Sequence, residues 1–255
     1  MIANYHTHTT RCRHAKGADE EYIQSALTAG LEVLGFSDHT PYPFKDGYYS
    51  KMRMFPEQLP EYTQTLRTLQ AKYKEQLQLH VGLEAEYYPA HFAELRQWVQ
   101  DAGIDYLILG QHWLGNEQGE ARVIHPFTDE ARLACCCDQT IEAIQTGAFS
   151  YIAHPDLPLY VGDDKTYACH MRRLIKEAKA CGLPLEINLH GAVLNLHYPD
   201  PRFWTLAAEE GCDVVLGRDA HNPSELLDTE TEKRMMDMVS RLGLNLLSKI
   251  QLIKP

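Results

Sequence analysis

The chain predicts an α/β fold, a closed barrel of parallel strands in a single domain, and three observations carry that prediction. Apolar runs of strand type alternate with helically spaced patterns seven times along 255 residues. No repeat, low-complexity tract or linker divides the series. His and acidic residues recur just beyond the strands, and the carboxyl ends of strands converge on one mouth only when a sheet closes on itself. In an open sheet those residues would be strung along an edge, and members from the first, third and seventh strands could not touch one ion.

Residues 2–5 form the first strand. Over 19–29 the apolar Tyr22, Ile23, Ala26 and Leu27 fall at helical spacing, and Gly30 supplies the stop. The second strand covers 32–37. A helix over 56–76 carries Pro56 in its first turn, where a missing N–H costs nothing, and 79–84 is the third strand. A helix over 90–102 closes at Gly103, and 106–110 is the fourth strand. Thr128 caps a helix over 129–146, 151–153 is the fifth strand, and Gly182 ends a helix over 166–181. The sixth strand (185–188), a helix over 201–210 stopped by Gly211, the seventh strand (214–217) and a helix over 229–242 complete the order.

Composition excludes several function classes. With 44% hydrophobic and 23% charged residues the chain can bury one substantial core. The N-terminus lacks a basic patch followed by an apolar run, and no stretch nears the roughly 18 apolar residues of a membrane span, so a soluble chain without a leader is expected. Seven cysteines include Cys135, Cys136 and Cys137 on one predicted helix, where successive side chains diverge and cannot all pair. They read as helix core and as reduced thiols of a cytoplasmic protein. No Cys-x-x-Cys knuckle occurs. A net charge of −11 argues against a nucleic-acid surface, which needs a basic stripe. Oligomeric state is not legible.

The site residues begin with Tyr5-His6-Thr7-His8. Two imidazoles two residues apart on an extended backbone point the same way and can grip one metal ion. Alone, such a pair is more often surface or core, but His14, Asp38-His39, Glu84, His112, His154 and Asp219-Ala220-His221 repeat the pattern. The runs His6-Thr7-His8-Thr9, Arg11-Cys12-Arg13-His14-Ala15-Lys16-Gly17, Gly35-Phe36-Ser37-Asp38-His39, Gly82-Leu83-Glu84-Ala85-Glu86, Gln111-His112-Trp113-Leu114-Gly115, Ala153-His154-Pro155-Asp156-Leu157-Pro158 and Gly217-Arg218-Asp219-Ala220-His221 together resemble the polymerase and histidinol phosphatase (PHP) family. Met52-Arg53-Met54 before a Leu-Pro-x-Tyr helix resembles its histidinol-phosphate phosphatase branch.

The resemblance runs from end to end and implies a distorted (β/α)7, TIM-like barrel holding three divalent ions, zinc, manganese or iron. Carried over by position, it gives His6, His8, Glu84 and Asp219 to one ion, Glu84, His112 and His154 to a second, and His14, His39 and His221 to a third. Imidazole and carboxylate suit such ions, and a bridging Glu84 would hold two of them close enough to share a hydroxide. Once Glu84, Asp219 and that hydroxide are subtracted, roughly +3 remains, a charge that favours a phosphate monoester dianion. The resemblance therefore implies hydrolysis of L-histidinol phosphate to L-histidinol and phosphate by in-line attack, with Asp219 or a bound water protonating the leaving alkoxide.

Other positions divide between roles. Asp38 is either a partner orienting an imidazole or an ordinary turn residue, and His80, His91, His125 and His170 read as surface or satisfied helix neighbours. The family's Arg beyond the sixth strand is missing from Asn188-Leu189-His190-Gly191-Ala192-Val193-Leu194, and Arg218 replaces a Ser. Arg218 is thus either the phosphate anchor or a rim salt bridge, with Arg53, Lys16 and His190 as weaker substrate contacts. Two other functions compete, a phosphoesterase or phosphodiesterase acting on another small ester or nucleotide, and a non-catalytic metal-binding module. The absence of a basic or aromatic groove counts against the nucleotide, and a full ligand set counts against the module.

Overall fold

The computed structural model describes residues 1–45, 47–118 and 122–255. Four parallel strands, β1 (Ala3–Asn4), β2 (Val33–His39), β3 (Gln78–Ala85) and β4 (Tyr106–Leu109), form one sheet in the order β1-β2-β3-β4. Three more, β5 (Leu185–Asn188), β6 (Asp213–Gly217) and β7 (Asn245–Leu246), form a second, also parallel. Ile152 joins the two by bridging Leu109 on one side and Leu185 on the other. Thr7 meets Ala220 on the opposite side and closes the ring, with His8 N donating to Ala220 O at 2.9 Å. Seven staves result, as the sequence predicts.

The fifth stave is the most reduced. Predicted as a strand over 151–153, it survives as the bridges of Ile152 alone, because His154 turns the chain at φ 29° and Pro155 can donate no ladder hydrogen bond. β7 was not predicted; it pairs with the start of β6, Asp213 opposite Asn245.

The helices fall between the staves: α1 (Asp19–Thr28), α2 (Leu59–Tyr73), α3 (Pro89–Asp101), α4 (Glu130–Gln145), α5 (Asp164–Ala180), α6 (Leu189–Val193), α7 (Pro201–Glu210) and α8 (Thr229–Leu242). Local chemistry moved three starts. Asp129, not Thr128, caps α4 by accepting from Ala131 N, and a carboxylate there also meets the positive end of the helix dipole. Asp163 does the same for α5 through Thr166 N, starting it two residues earlier than predicted. Pro56–Gln58 is a 3-10 turn that precedes α2. The unpredicted α6 begins where the Asn188 side chain accepts from Gly191 N. No described helix is long and apolar enough to cross a membrane.

Inside the ring, alternate strand residues point inward, and Ala3, Tyr5, Val33, Tyr106, Ile108, Tyr151, Ala153 and Val215 pack as one buried cluster. Tyr106 reaches across the barrel, its hydroxyl donating to Tyr5 O at 2.7 Å. Gly82 makes that possible, since a Cβ there would lie 2.3 Å from the Tyr106 ring. The last residues cross the amino-terminal end of the barrel. Leu247, Ile250 and Leu252 pack on the cluster, and Ile253 N donates to Ser150 Oγ at 2.8 Å. Burial of each such large apolar group contributes about 1.5–3 kcal/mol, so this cluster stabilises the lower half of the barrel. The polar groups collect above it.

Candidate metal centre

His6 and His8 follow β1, His39 ends β2, Glu84 lies in β3 directly opposite His39, His112 follows β4, His154 follows the Ile152 bridge, and Asp219 and His221 follow β6. His14 joins them beyond a 3-10 turn over Thr10–Cys12. All of the residues expected to bind metal meet at one end of the ring, where all but the fully buried His6 and His8 line a cavity of about 260 Å³.

Glu84 sits at the centre of this group. Its Oε2 lies 2.8 Å from His39 Nδ1, 3.6 Å from His8 Nε2 and 3.7 Å from His6 Nε2. Its Oε1 lies 2.9 Å from His154 Nε2 and 3.7 Å from His112 Nε2. Each oxygen therefore faces a different set of imidazoles. Gly110 leaves room for this carboxylate, because a Cβ there would fall 1.9 Å from Glu84 Oε1. Asp219 Oδ1 approaches His8 Nε2 at 3.0 Å and His6 Nε2 at 3.4 Å. His14 Nε2 and His221 Nε2 stand 3.0 Å apart, with His39 in the same group.

A divalent cation fits what these atoms lack. His6 Nε2, His8 Nε2, His39 Nδ1, Glu84 Oε2 and Asp219 Oδ1 are all buried and, close as they lie to one another, make no well-aligned hydrogen bond, and uncompensated burial of so many polar atoms would cost several kcal/mol. The outer ring nitrogens of four of the histidines are turned to protein acceptors. His6 Nδ1 meets Glu186 at 2.9 Å, His112 Nδ1 meets Glu86 at 3.3 Å, His14 Nδ1 meets Cys12 O at 2.9 Å and His221 Nδ1 meets Asp219 O at 2.9 Å. An acceptor on the outer nitrogen fixes the tautomer that leaves the inner lone pair for a cation.

Charge follows the same pattern. Burial opposes a charge on His6, but Asp219 and Glu186 outweigh it and push the imidazole up to about 10. His8 is raised well above the usual histidine range against its burial, by Asp219 and Asp38. Burial holds His39 and His221 well below that range. Burial would raise Asp219 and Glu84, yet the surrounding imidazoles hold both well below the usual carboxylate range. An ionised Asp219 is suited to bind a cation. His154 and Asp219 both adopt positive φ, 29° and 49°, strain of the kind that concentrates at functional sites.

The expected substrate contacts fare differently. His190 lines the cavity. Lys16 is exposed and outside its lining. Arg218 is buried, donates to Asp228 O and a Glu232 carboxylate as a rim salt bridge would, and does not line the cavity. Arg53 is likewise committed, fully buried and paired with Glu86 and with Glu117. It reaches the site only through Glu86, which also holds His112. Asp38 accepts from Thr9 Oγ1 and from His39 N and lies 3.5 Å from His8 Nδ1, beside one imidazole of the group. Sequence reasoning missed Glu186, whose signal was a carboxylate inside the apolar run of β5, and Arg122, which lines the cavity.

The PHP domain model matches residues 4–190. This chain belongs to the PHP domain family. Among relatives of this PHP domain, a Deinococcus radiodurans protein named "Probable histidinol-phosphatase" is 34% identical over 234 residues, 88% of each chain. A Schizosaccharomyces pombe protein of the same name is 26% identical over 276 residues, covering 98% of this chain and 90% of the relative. In structure, the PHP fold superposes on histidinol phosphate phosphatase from Lactococcus lactis, solved with zinc, L-histidinol and phosphate, at a TM-score of 0.74 and 18% identity, covering 98% and 97% of the two chains.

Proposed function

We propose that residues 1–255 act as one metal-dependent phosphoesterase domain that hydrolyses L-histidinol phosphate to L-histidinol and phosphate. The observation that carries this reading is the set of buried nitrogen and oxygen atoms that converge at one barrel mouth without well-aligned hydrogen bonds. The names of the relatives and the ligands of the Lactococcus structure support it. His6, His8, Glu84 and Asp219 would hold one divalent ion, Glu84, His112 and His154 a second, and His14, His39 and His221 a third. When bound, such ions supply an acidified water and a polarised phosphoryl oxygen.

The chain's own residues do the rest. Glu84 ties the first two ligand sets through its separate oxygens, while Glu186 and Glu86 fix the rings of His6 and His112. Met52, Ile124, Leu157 and Tyr198 form the apolar part of the wall, where the carbon skeleton of a small ester can lie and bulk water is displaced. The free cysteines suit a reducing cytoplasm.

The test is phosphate release by metal-loaded protein from L-histidinol phosphate, a panel of other small phosphomonoesters and a dinucleotide, with elemental analysis on the same sample. The reading expects up to three divalent ions and a preference for histidinol phosphate. Active protein holding one ion or none would refute the metal assignment. Faster cleavage of the dinucleotide would transfer the site to phosphodiester chemistry.

A further inference from the structure

Beyond β4 the chain returns beside itself as an extended segment. Trp113 bridges Arg122 in antiparallel fashion, Val123 N donates to His112 O at 2.9 Å, and Leu159 N donates to Val123 O at 3.0 Å. Side chains alternate along such a segment, so Val123 is buried in the core while Arg122 and Ile124 line the cavity that holds His112, His154 and Asp219. The Arg122 guanidinium carbon lies 5.4 Å from the Trp113 ring centre, and stacking of this kind orients the planar group while keeping its charge. Among the described residues no carboxylate pairs with Arg122, and its Nε is buried with no hydrogen-bond partner. Arg53 and Arg218, by contrast, are both neutralised by carboxylates.

We infer that Arg122 holds the phosphoryl group of the substrate, supplying from the loop beyond β4 the guanidinium that is absent after Asn188. The inference rests on the phosphatase reading for its substrate class, a phosphate monoester dianion. A guanidinium buried at Nε and without an acidic partner among the described residues is poised for an anion, and its fork matches two phosphoryl oxygens. The backbone pairing of 113 with 122 and of 112 with 123 ties this anchor to the same loop as His112, so the phosphoryl group would be held in a fixed relation to that ligand.

The experiment measures inorganic phosphate binding to metal-loaded protein by equilibrium dialysis, with steady-state hydrolysis of L-histidinol phosphate in parallel. It compares the native chain with Arg122→Gln, which keeps length, and Arg122→Lys, which keeps charge but loses the fork. Phosphate Kd and KM should both rise on the order of ten- to a hundredfold in the Gln variant, the loss expected for a charge-assisted hydrogen bond. Metal content and melting temperature should hold steady. A folded Gln variant with native phosphate Kd overturns the inference. Should the Gln variant fail to fold, the Lys variant decides: weaker phosphate binding supports the fork, and native binding overturns it. Native protein that hydrolyses no monoester would sink the phosphatase reading separately, while dialysis would still decide Arg122.

Discussion

Arg218→Ser separates the two roles the sequence left open for that residue. The guanidinium donates to Asp228 O and Glu232 and is 4% exposed. Removing one partner of a buried pair can cost about 3–5 kcal/mol when the other charge is stranded. Glu232 is not stranded, because its side chain keeps 17% exposure and contacts the Met1 amine. The loss is then nearer that of charged hydrogen bonds, about 1.5–3 kcal/mol. For a chain of this size each kcal/mol moves Tm by roughly 2–4 °C, so a fall of about 3–12 °C is expected in a thermal melt, reversible denaturant curves giving the same ranking. KM for a phosphomonoester and metal content should stay unchanged. A tenfold rise in KM with Tm intact would refute the rim assignment and restore Arg218 as an anchor.

Glu84→Gln should abolish activity more completely than His14→Ala, since Glu84 faces two ligand sets and His14 one; near-native turnover in the Gln variant would end the bridging assignment. Glu186→Gln should weaken zinc binding by about 10–100-fold, the usual effect of losing an outer partner of a ligating imidazole, and competition with a chromogenic chelator would read it. Asp156 is buried, accepts from Asp200 N and Trp204 Nε1 and is pushed up to about 7. A raised folded-state value means that the native chain keeps a proton the unfolded chain releases, so this stabilising contribution is full below about pH 4 and is lost as pH rises to about 7. Asp156→Asn should remove that slope, its stability relative to the native chain improving by up to a few kcal/mol between pH 4 and 7 and levelling above. Urea titrations showing the same difference at every pH would contradict it.

The barrel was legible because its signals are local. Strand ends announce themselves by His or carboxylate after an apolar run, and Gly211 marks a helix stop with a left-handed cap. What escaped was set by distant partners. Arg218 reads in sequence as a neighbour of a ligand, but Glu232 on α8 captures it. Glu186 resembles any single charge in a strand until β5 is placed beside His6. Arg122 faces the cavity only because 112–113 and 159 pair with its segment, contacts that span separations no periodicity reveals. The Asp129 cap was a local signal misread, since Thr128 beside it is also a capping residue, though one less favoured than Asp.

Tyr106 and the carboxy-terminal segment fill the barrel below the metal ligands. A site filled from below is entered and left by the same mouth. On the phosphatase reading, product phosphate should therefore compete with the incoming ester for that mouth, and inhibition of hydrolysis by added inorganic phosphate would show it.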